Sequence, residues 1–423
     1  MKKNEIYDLI GIGIGPFNLG LSALLSTIKQ CRSLFFDKSE TFSWHEDMIL
    51  ENSLLQVHYL KDLVTMVDPT NKFSFLSYLL KKKRIYPFLH KKSHAVSRAE
   101  FNDYLKWAVS EMDNLIFGHV IDTIIFDKGK FIIQTHSGIY QSKNIVIGTG
   151  TTPNIPDVLI GSLSNCVFHN SEYKKRRKRI NFSDKRIAVI GGGQSGAEIV
   201  DDILSGYEQP AEIAWISKRD NFFSLQDSCF SNDFYSPSFS RYFFNLTEKS
   251  RKRKNNSLLL TSDGITENLL NTIYRKIYDI KYIKNLNIKI SLYPRHRVKK
   301  IQHQNGMKIL KIINIDKNNS FKNNFDVIIL ATGYKARTLS ILNSIFPDAK
   351  SIDDIEIDMD FSVKWKHINN KIFIQSGLKT QFGIADPNLS LSTWRNAVII
   401  NSILDKNHYD TSFNSIMFNE YNQ

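Results

Sequence analysis

Short apolar runs punctuated by glycine set the frame of this chain. Residues 6–10 (IYDLI) form a compact, mostly apolar run, glycines follow at once, and residues 19–25 carry apolar side chains at the spacing of a packed helix. Residues 33–36 (SLFF) are apolar again, which completes the strand–helix–strand order of a βαβ start. The order returns at 186–190 (RIAVI), 191–193 (GGG), 197–204 and 212–217. Nothing recurs at a period of about 20–50 residues, so the two units predict two dinucleotide-binding domains and not a repeat array. Two further runs, 144–150 (NIVIGTG) and 326–334 (DVIILATGY), stay apolar up to a glycine, as a strand buried on both faces requires. The stretch from 222 to 290 is rich in Phe and Asn, and 266–282 has the period of an amphipathic helix. The expected fold is α/β, with two Rossmann-like dinucleotide-binding domains plus a small, mainly helical third domain.

Composition narrows the class. Among 423 residues, 42% are hydrophobic and 23% charged, as in a soluble globular protein of two or three domains. Three cysteines, Cys31, Cys166 and Cys229, lie far apart without a second Cys or His at ligand spacing. That excludes a disulfide scaffold and a metal site, and it points to a reducing compartment, the cytoplasm. No apolar run is long enough to span a membrane. The lead Met1-Lys2-Lys3 imitates a signal peptide, but Glu5, Asp8, Pro16 and Asn18 break the pattern. The 56 basic and 42 acidic residues leave a charge of +14. Its densest blocks, 174–179 and 251–254, lie in polar stretches and read as solvated loops; aromatic residues do not interleave with them, so nucleic acid is not an expected partner.

Two glycine clusters carry the chemistry. Gly11-Ile-Gly13-Ile-Gly15-Pro-Phe-Asn18 follows a strand and opens a helix, where glycines permit a tight turn and let a pyrophosphate rest on the helix N-terminus. Asp37 ends the next strand, placed to accept hydrogen bonds from a ribose with free hydroxyls, as in FAD or NAD. Gly191-Gly-Gly193-Gln-Ser195-Gly196 repeats the arrangement, but its next strand ends in Lys218 and Arg219, cations suited to the 2′-phosphate of NADPH. One FAD and one NADPH make a flavin oxidoreductase. No Cys-x-x-Cys is present to take the electrons onward, which leaves molecular oxygen as the leading acceptor. The common flavin monooxygenase fingerprint is half present: His169 and Tyr173 fit its end, while Asn165 stands where its glycine belongs.

Many further words stand in order along nearly the whole chain. They include Gly13-Ile-Gly-Pro-Phe-Asn18, Phe42-Ser-Trp44-His45, Gln56-Val-His-Tyr-Leu-Lys61-Asp62-Leu63 and Val96-Ser-Arg98-Ala-Glu100-Phe101. Phe168-His169-Asn-Ser171-Glu172-Tyr173, Thr261-Ser-Asp-Gly-Ile265, Ala331-Thr-Gly-Tyr334 and Gly383-Ile-Ala-Asp-Pro-Asn-Leu-Ser390-Leu391 complete the set. In these words the chain resembles the flavin-dependent amine N-hydroxylases of siderophore biosynthesis, the lysine and ornithine N-monooxygenase family.

The resemblance implies that Lys61 reaches the substrate carboxylate, that Gln56, Trp44 and His45 line the flavin and substrate site, and that Asn232 holds substrate and nicotinamide, with Ser390 beside the substrate. Gln56, Lys61 and Asn232 are thus the expected catalytic set. Lys61, Asn232 and Ser390 are the expected substrate contacts. Gly13, Gly15, Asn18, Asp37, Trp44, His45, Gln56, Gly191, Gly193, Ser195, Gly196, Lys218 and Arg219 are the expected cofactor contacts. Thr261-Ser262-Asp263-Gly264 stands where ornithine enzymes carry a second substrate Asn, and it looks like the lysine and diamine branches instead. The implied reaction is N-hydroxylation of the terminal amine of L-lysine by O₂ through a 4a-hydroperoxyflavin, the first step toward a hydroxamate siderophore. A diamine substrate and a plain NADPH oxidase or ferric reductase are the alternatives, and the family implies a homotetramer. On these readings residues 1–165 and 331–423 form the FAD-binding domain, 166–221 and 288–330 the NADPH-binding domain, and 222–287 the helical substrate-binding region.

Overall fold

The computed structural model describes residues 5–93, 95–304, 307–337, 340–349, 351–413, 417, 418 and 421; the Met1–Lys3 lead lies outside them. The first sheet runs in the order Leu115–Ile116, Ser33–Phe36, Ile6–Ile12, Gly138–Ile147, Lys130–Thr135, Ile121–Asp127, with Ile372–Ile374 also beside Gly138–Ile147. Its centre is parallel, and the Lys130–Thr135 and Ile121–Asp127 strands are antiparallel additions. The Pro16–Leu25 helix is buried along nearly its whole length and packs against the C-terminal Ser392–Leu404 helix. One end of the chain therefore covers the other.

The second sheet is all parallel, in the order Lys289–Tyr293, Glu212–Ile216, Arg186–Ile190, Val327–Leu330, Val167–His169. Its central strands show why they read as unbroken apolar runs. Ile187, Val189, Ile213, Trp215, Val327 and Ile329 face the Gln194–Ser205 helix side, whereas Ala188, Ile190, Ala214, Ile216, Ile328 and Leu330 face a three-stranded antiparallel ribbon through Ile301, Leu310, Ile312 and Phe325. Both faces are covered, so no alternation is visible. Short antiparallel strands, Thr151–Pro153 and Tyr334–Ala336, pair where the chain passes between the two sheets.

The helical stretch buries Phe239 and Phe243 and leans on both domains. Phe244 packs on Phe382 of the first domain at 5.1 Å, while Ile265 and Ile273 join the core of the second. The helix expected over 266–282 runs as Glu267–Tyr278 and ends in a wider π turn, Asp279–Ile283. The basic blocks also differ from expectation. Residues 251–254 belong to the exposed Glu248–Ser257 helix, capped by Thr247 and favoured by Glu248 in its first turn. Tyr173–Arg177 is a short helix as well, pinned by the buried Tyr173, whose hydroxyl donates to Asp202 at 2.7 Å.

Candidate active site

The carboxyl ends of the parallel strands of both sheets open into one cleft of about 2030 Å³. A single drug-sized ligand fills a pocket of about 300–1,000 Å³, so this space matches two. On one wall Gly13 has φ +89° and donates its N–H to the carbonyl of Phe36 at 2.7 Å; a Cβ there would lie 2.5 Å from the Gly148 carbonyl oxygen. Gly15 begins the Pro16–Leu25 helix with extended backbone and no side-chain cap, which leaves the orphan N–H groups to a ligand. Asn18 works from behind. It is fully buried, and its Nδ2 donates to the Gly13 carbonyl at 2.7 Å, holding the turn. The Asp37 carboxylate accepts from Ile14 N and Ser39 N, both at 2.8 Å, and borders the cleft with acceptor capacity to spare.

The opposite wall repeats the device. Gly191 has φ +142°, and a Cβ on it would collide with the carbonyl oxygen of Ala331. Gly193 begins the Gln194–Ser205 helix, again without a side-chain cap, and Ser195 borders the cleft. Gly196 lies behind the turn, pressed on Gly191, whose carbonyl accepts from Trp215 Nε1 at 2.8 Å. Lys218 stands exposed on this wall, whereas Arg219 turns Nη1 onto the carbonyls of Gly192 (3.1 Å) and Asp263 (2.7 Å) and so ties the glycine turn to the Thr261-Ser-Asp-Gly word. The block expected to be a solvated loop supplies more cations: Lys174, Lys175, Lys178 and Arg179 all border the cleft, because anchored Tyr173 turns that helix toward it. Two uncapped helix ends facing a cationic wall are a fit for two pyrophosphates.

Between the walls Trp44 meets Phe101 edge-on at 5.6 Å, and His45, in a left-handed conformation at φ +51°, meets the edge of Tyr334 at 5.8 Å. The His45 side chain is exposed, but into the recess of the cleft and not onto the outer surface. Desolvation, and next the Arg98 cation, push its imidazole down to about 4, so it is neutral at pH 7. The folded chain thus resists a proton that the unfolded chain accepts, and stability falls as the pH drops from 6.5 to about 4. His45→Gln is expected to flatten that segment of a melting-temperature-against-pH curve measured without cofactors. An unchanged slope would contradict the assignment.

Lys61 and Ser390, 329 residues apart, meet at 3.2 Å through Nζ and Oγ. Burial pushes the Lys61 ammonium below its ordinary range. Asp62 is not its ion partner: it turns inward and accepts from Val64 N, Thr65 N, Thr65 Oγ1 and Phe75 N. Leu389, next to Ser390, borders the cleft, so this pair adjoins it. Gln56 and Asn232 do not border the cleft. The alternation that buries Ser53 and Leu55 sends Gln56 outward. Asn232 ends the Cys229–Asn232 helix, away from the cleft lining, with Nδ2 donating to the Asp227 carbonyl at 3.4 Å.

The family model for L-lysine 6-monooxygenase/L-ornithine 5-monooxygenase matches residues 5–336. The chain belongs to this family. It is a flavin-dependent amine monooxygenase, of a family that serves siderophore biosynthesis. The chain is 39% identical to an L-lysine N6-monooxygenase of Escherichia coli, over 97% of each chain, and 33% identical to a putrescine N-hydroxylase of Acinetobacter baumannii, over 97% and 92%. Among solved structures, the FAD-bound cadaverine monooxygenase of Erwinia amylovora matches with a TM-score of 0.91 at 26% identity, covering 98% of both chains. The ornithine N-hydroxylase of a Kutzneria species shares the fold, with a TM-score of 0.88 at 24% identity over 95% of this chain and 99% of that one. Two monooxygenase features escaped the sequence reading. Asn102 borders the cleft with a buried Oδ1 that has no hydrogen-bond partner among the described residues, on the helix face it shares with Ala99 and Lys106; that spacing was a readable signal. The Arg98–Glu198 ion pair joins residues 100 apart and had none.

Proposed function

We propose that this monooxygenase hydroxylates the terminal nitrogen of L-lysine, with FAD in the Gly13 cradle, NADPH in the Gly191 cradle and O₂ as co-substrate. When bound, the reduced flavin supplies oxygen in an activated, transferable form. The chain's own residues do the rest. The uncapped ends of the Pro16–Leu25 and Gln194–Ser205 helices hold the pyrophosphates, Asp37 takes a ribose, and Lys218 with its cationic neighbours takes the 2′-phosphate. The Trp44 ring, backed by the buried Phe101, gives the cleft an apolar border that limits water.

Only a neutral amine has the lone pair that accepts oxygen. Keeping a lysine ε-amine neutral near pH 8 costs about 3 kcal/mol in water, and a desolvated site lowers that cost. The observation that carries the lysine reading is the Lys61–Ser390 pair. Lys61, pushed toward neutrality by burial, regains a full charge on meeting a carboxylate, and Ser390 holds it in place. The end-to-end likeness to a lysine enzyme supports the same choice.

A diamine substrate is the second reading, favoured by the putrescine and cadaverine relatives; it offers Lys61 no carboxylate. Coupled NADPH oxidation and hydroxylamine formation across lysine, ornithine, putrescine and cadaverine decides between them. Lys61→Ala is expected to raise KM for lysine about 10- to 100-fold, the loss of a charge-assisted hydrogen bond of about 1.5–3 kcal/mol, with turnover of any diamine unchanged. An unaltered lysine KM overturns the anchor. Cys31, Cys166 and Cys229 are all unpaired, in keeping with a cytoplasmic enzyme.

A further inference from the structure

Passing a hydride between two ligands requires the reacting atoms to sit about 3–3.5 Å apart, yet each ligand's cradle belongs to a different sheet. The chain passes between the sheets twice, through residues 148–166 and 331–371, which pair with each other through the short strands Thr151–Pro153 and Tyr334–Ala336, and rotation is the default behaviour of domains joined in this way. Some contact must set their angle and spacing.

A buried contact joins the helix that opens on the second glycine turn to the first domain. Arg98, the first residue of the Arg98–Ser110 helix, is fixed by its backbone N–H to the Ser53 carbonyl at 2.9 Å. Its guanidinium grips Glu198 with both arms: Nη1 donates to Oε2 and Nη2 to Oε1, each at 2.8 Å. Nη1 also donates to the Met48 carbonyl at 3.2 Å, in the turn that follows His45. Glu198 sits one turn into the Gln194–Ser205 helix and is buried. Gln194, the first residue of that helix, donates Nε2 to Glu198 at 3.0 Å and accepts at Oε1 from the N–H of Thr266 at 2.9 Å, where the Glu267–Tyr278 helix begins. Both sheet domains and the helical stretch therefore converge on one carboxylate.

A buried ion pair adds little net stability over an apolar replacement, but a two-armed guanidinium–carboxylate pair fixes distance and rotation together. What this pair adds is geometry. We propose that Arg98 and Glu198 are positioning residues that set the approach of the two cradles, and through it the electron transfer from NADPH to flavin. The proposal rests on the reading that FAD and NADPH occupy those cradles.

The test uses full-length Glu198→Gln, Arg98→Lys and the exchanged pair Arg98→Glu/Glu198→Arg. Anaerobic stopped-flow at saturating NADPH measures flavin reduction, mixing of chemically reduced protein with O₂ measures reoxidation, and small-angle scattering of the cofactor-free protein reports domain arrangement. In Glu198→Gln the reduction rate is expected to fall at least about tenfold, or about 1.4 kcal/mol, with flavin affinity and reoxidation within about twofold of the parent. The scattering curve should change, and the exchanged pair should recover part of the rate. A folded Glu198→Gln protein reduced within about twofold of the parent overturns the proposal, as does a uniform fall of all half-reactions. If Glu198→Gln does not fold, Arg98→Lys, which keeps the charge and loses one arm, decides by the same criteria. A parent protein that takes up no flavin, or is not reduced by NADPH, fails the functional reading and not the clasp.

Discussion

Gly191→Ala is expected to leave the protein able to bind flavin but to slow its reduction by NADPH about 100-fold or more, the equivalent of about 2.7 kcal/mol. Two terms add. The residue has φ +142°, where an L side chain costs about 1–3 kcal/mol, and the new Cβ would collide with the carbonyl oxygen of Ala331. That oxygen has little room to retreat, because Ala331 N–H is bonded to the Ile190 carbonyl at 2.8 Å and the strands Arg186–Ile190 and Val327–Leu330 pair through the core. The turn itself must move, and it carries the N–H groups of the second cradle. Gly129→Ala is the control for positive-φ strain outside the cradle. Gly129 has φ +75°, and nothing lies near its added Cβ, so strain acts there alone and reduction should stay at the parent rate. Stopped-flow bleaching with the visible flavin spectrum reads both variants. Reduction of Gly191→Ala within threefold of the parent would refute the assignment of this turn to the nicotinamide cofactor.

Arg395→Ala should destabilise the first domain by about 3–5 kcal/mol, the range for stranding one member of a buried ion pair. Arg395 is 2% exposed and Asp386 1%. Nη2 donates to Asp386 Oδ1 and to the Asp386 carbonyl, both at 3.0 Å, Nη1 donates to the Gln375 carbonyl, and the guanidinium lies over Phe361 at 4.8 Å and Phe17 at 5.2 Å. Burial pulls each group toward its neutral form, and each opposes that pull on the other. Asp386 also accepts from Leu378 N at 2.8 Å and Gly377 N at 3.1 Å. An apolar double variant, Asp386→Leu/Arg395→Met, would therefore still orphan two backbone donors, and it should recover only part of the loss. Urea unfolding followed by tryptophan fluorescence, beside flavin affinity, measures this; a loss under about 1 kcal/mol would contradict the account. The pair also braces Pro387 and Leu389, which border the cleft beside Ser390, so flavin affinity should fall with stability.

How far the chain could be read without its fold differs by feature. The strands Arg186–Ile190 and Val327–Leu330 were legible because both faces of the second sheet are covered, which writes burial as an unbroken apolar run. The basic block at 174–179 was misread for the opposite reason. A run of cations looks solvated whichever way it points, and only the burial of Tyr173 decides that it points into the cleft. Gln56 shows the limit of a motif: its word marks a neighbourhood, while the alternation with Leu55 sends its own side chain out.

Local chemistry determined what each segment is. Glycines after a strand specify a turn that only they can adopt, an acidic strand end suits a ribose, and apolar periodicity separates strand from helix; all of these act over a few residues and are written in order along the chain. Tertiary structure alone decided what meets what. Lys61 reaches Ser390 across 329 residues and Arg98 reaches Glu198 across 100, because such contacts depend on which sheet edges face each other. No local preference encodes a distance between segments so far apart along the chain.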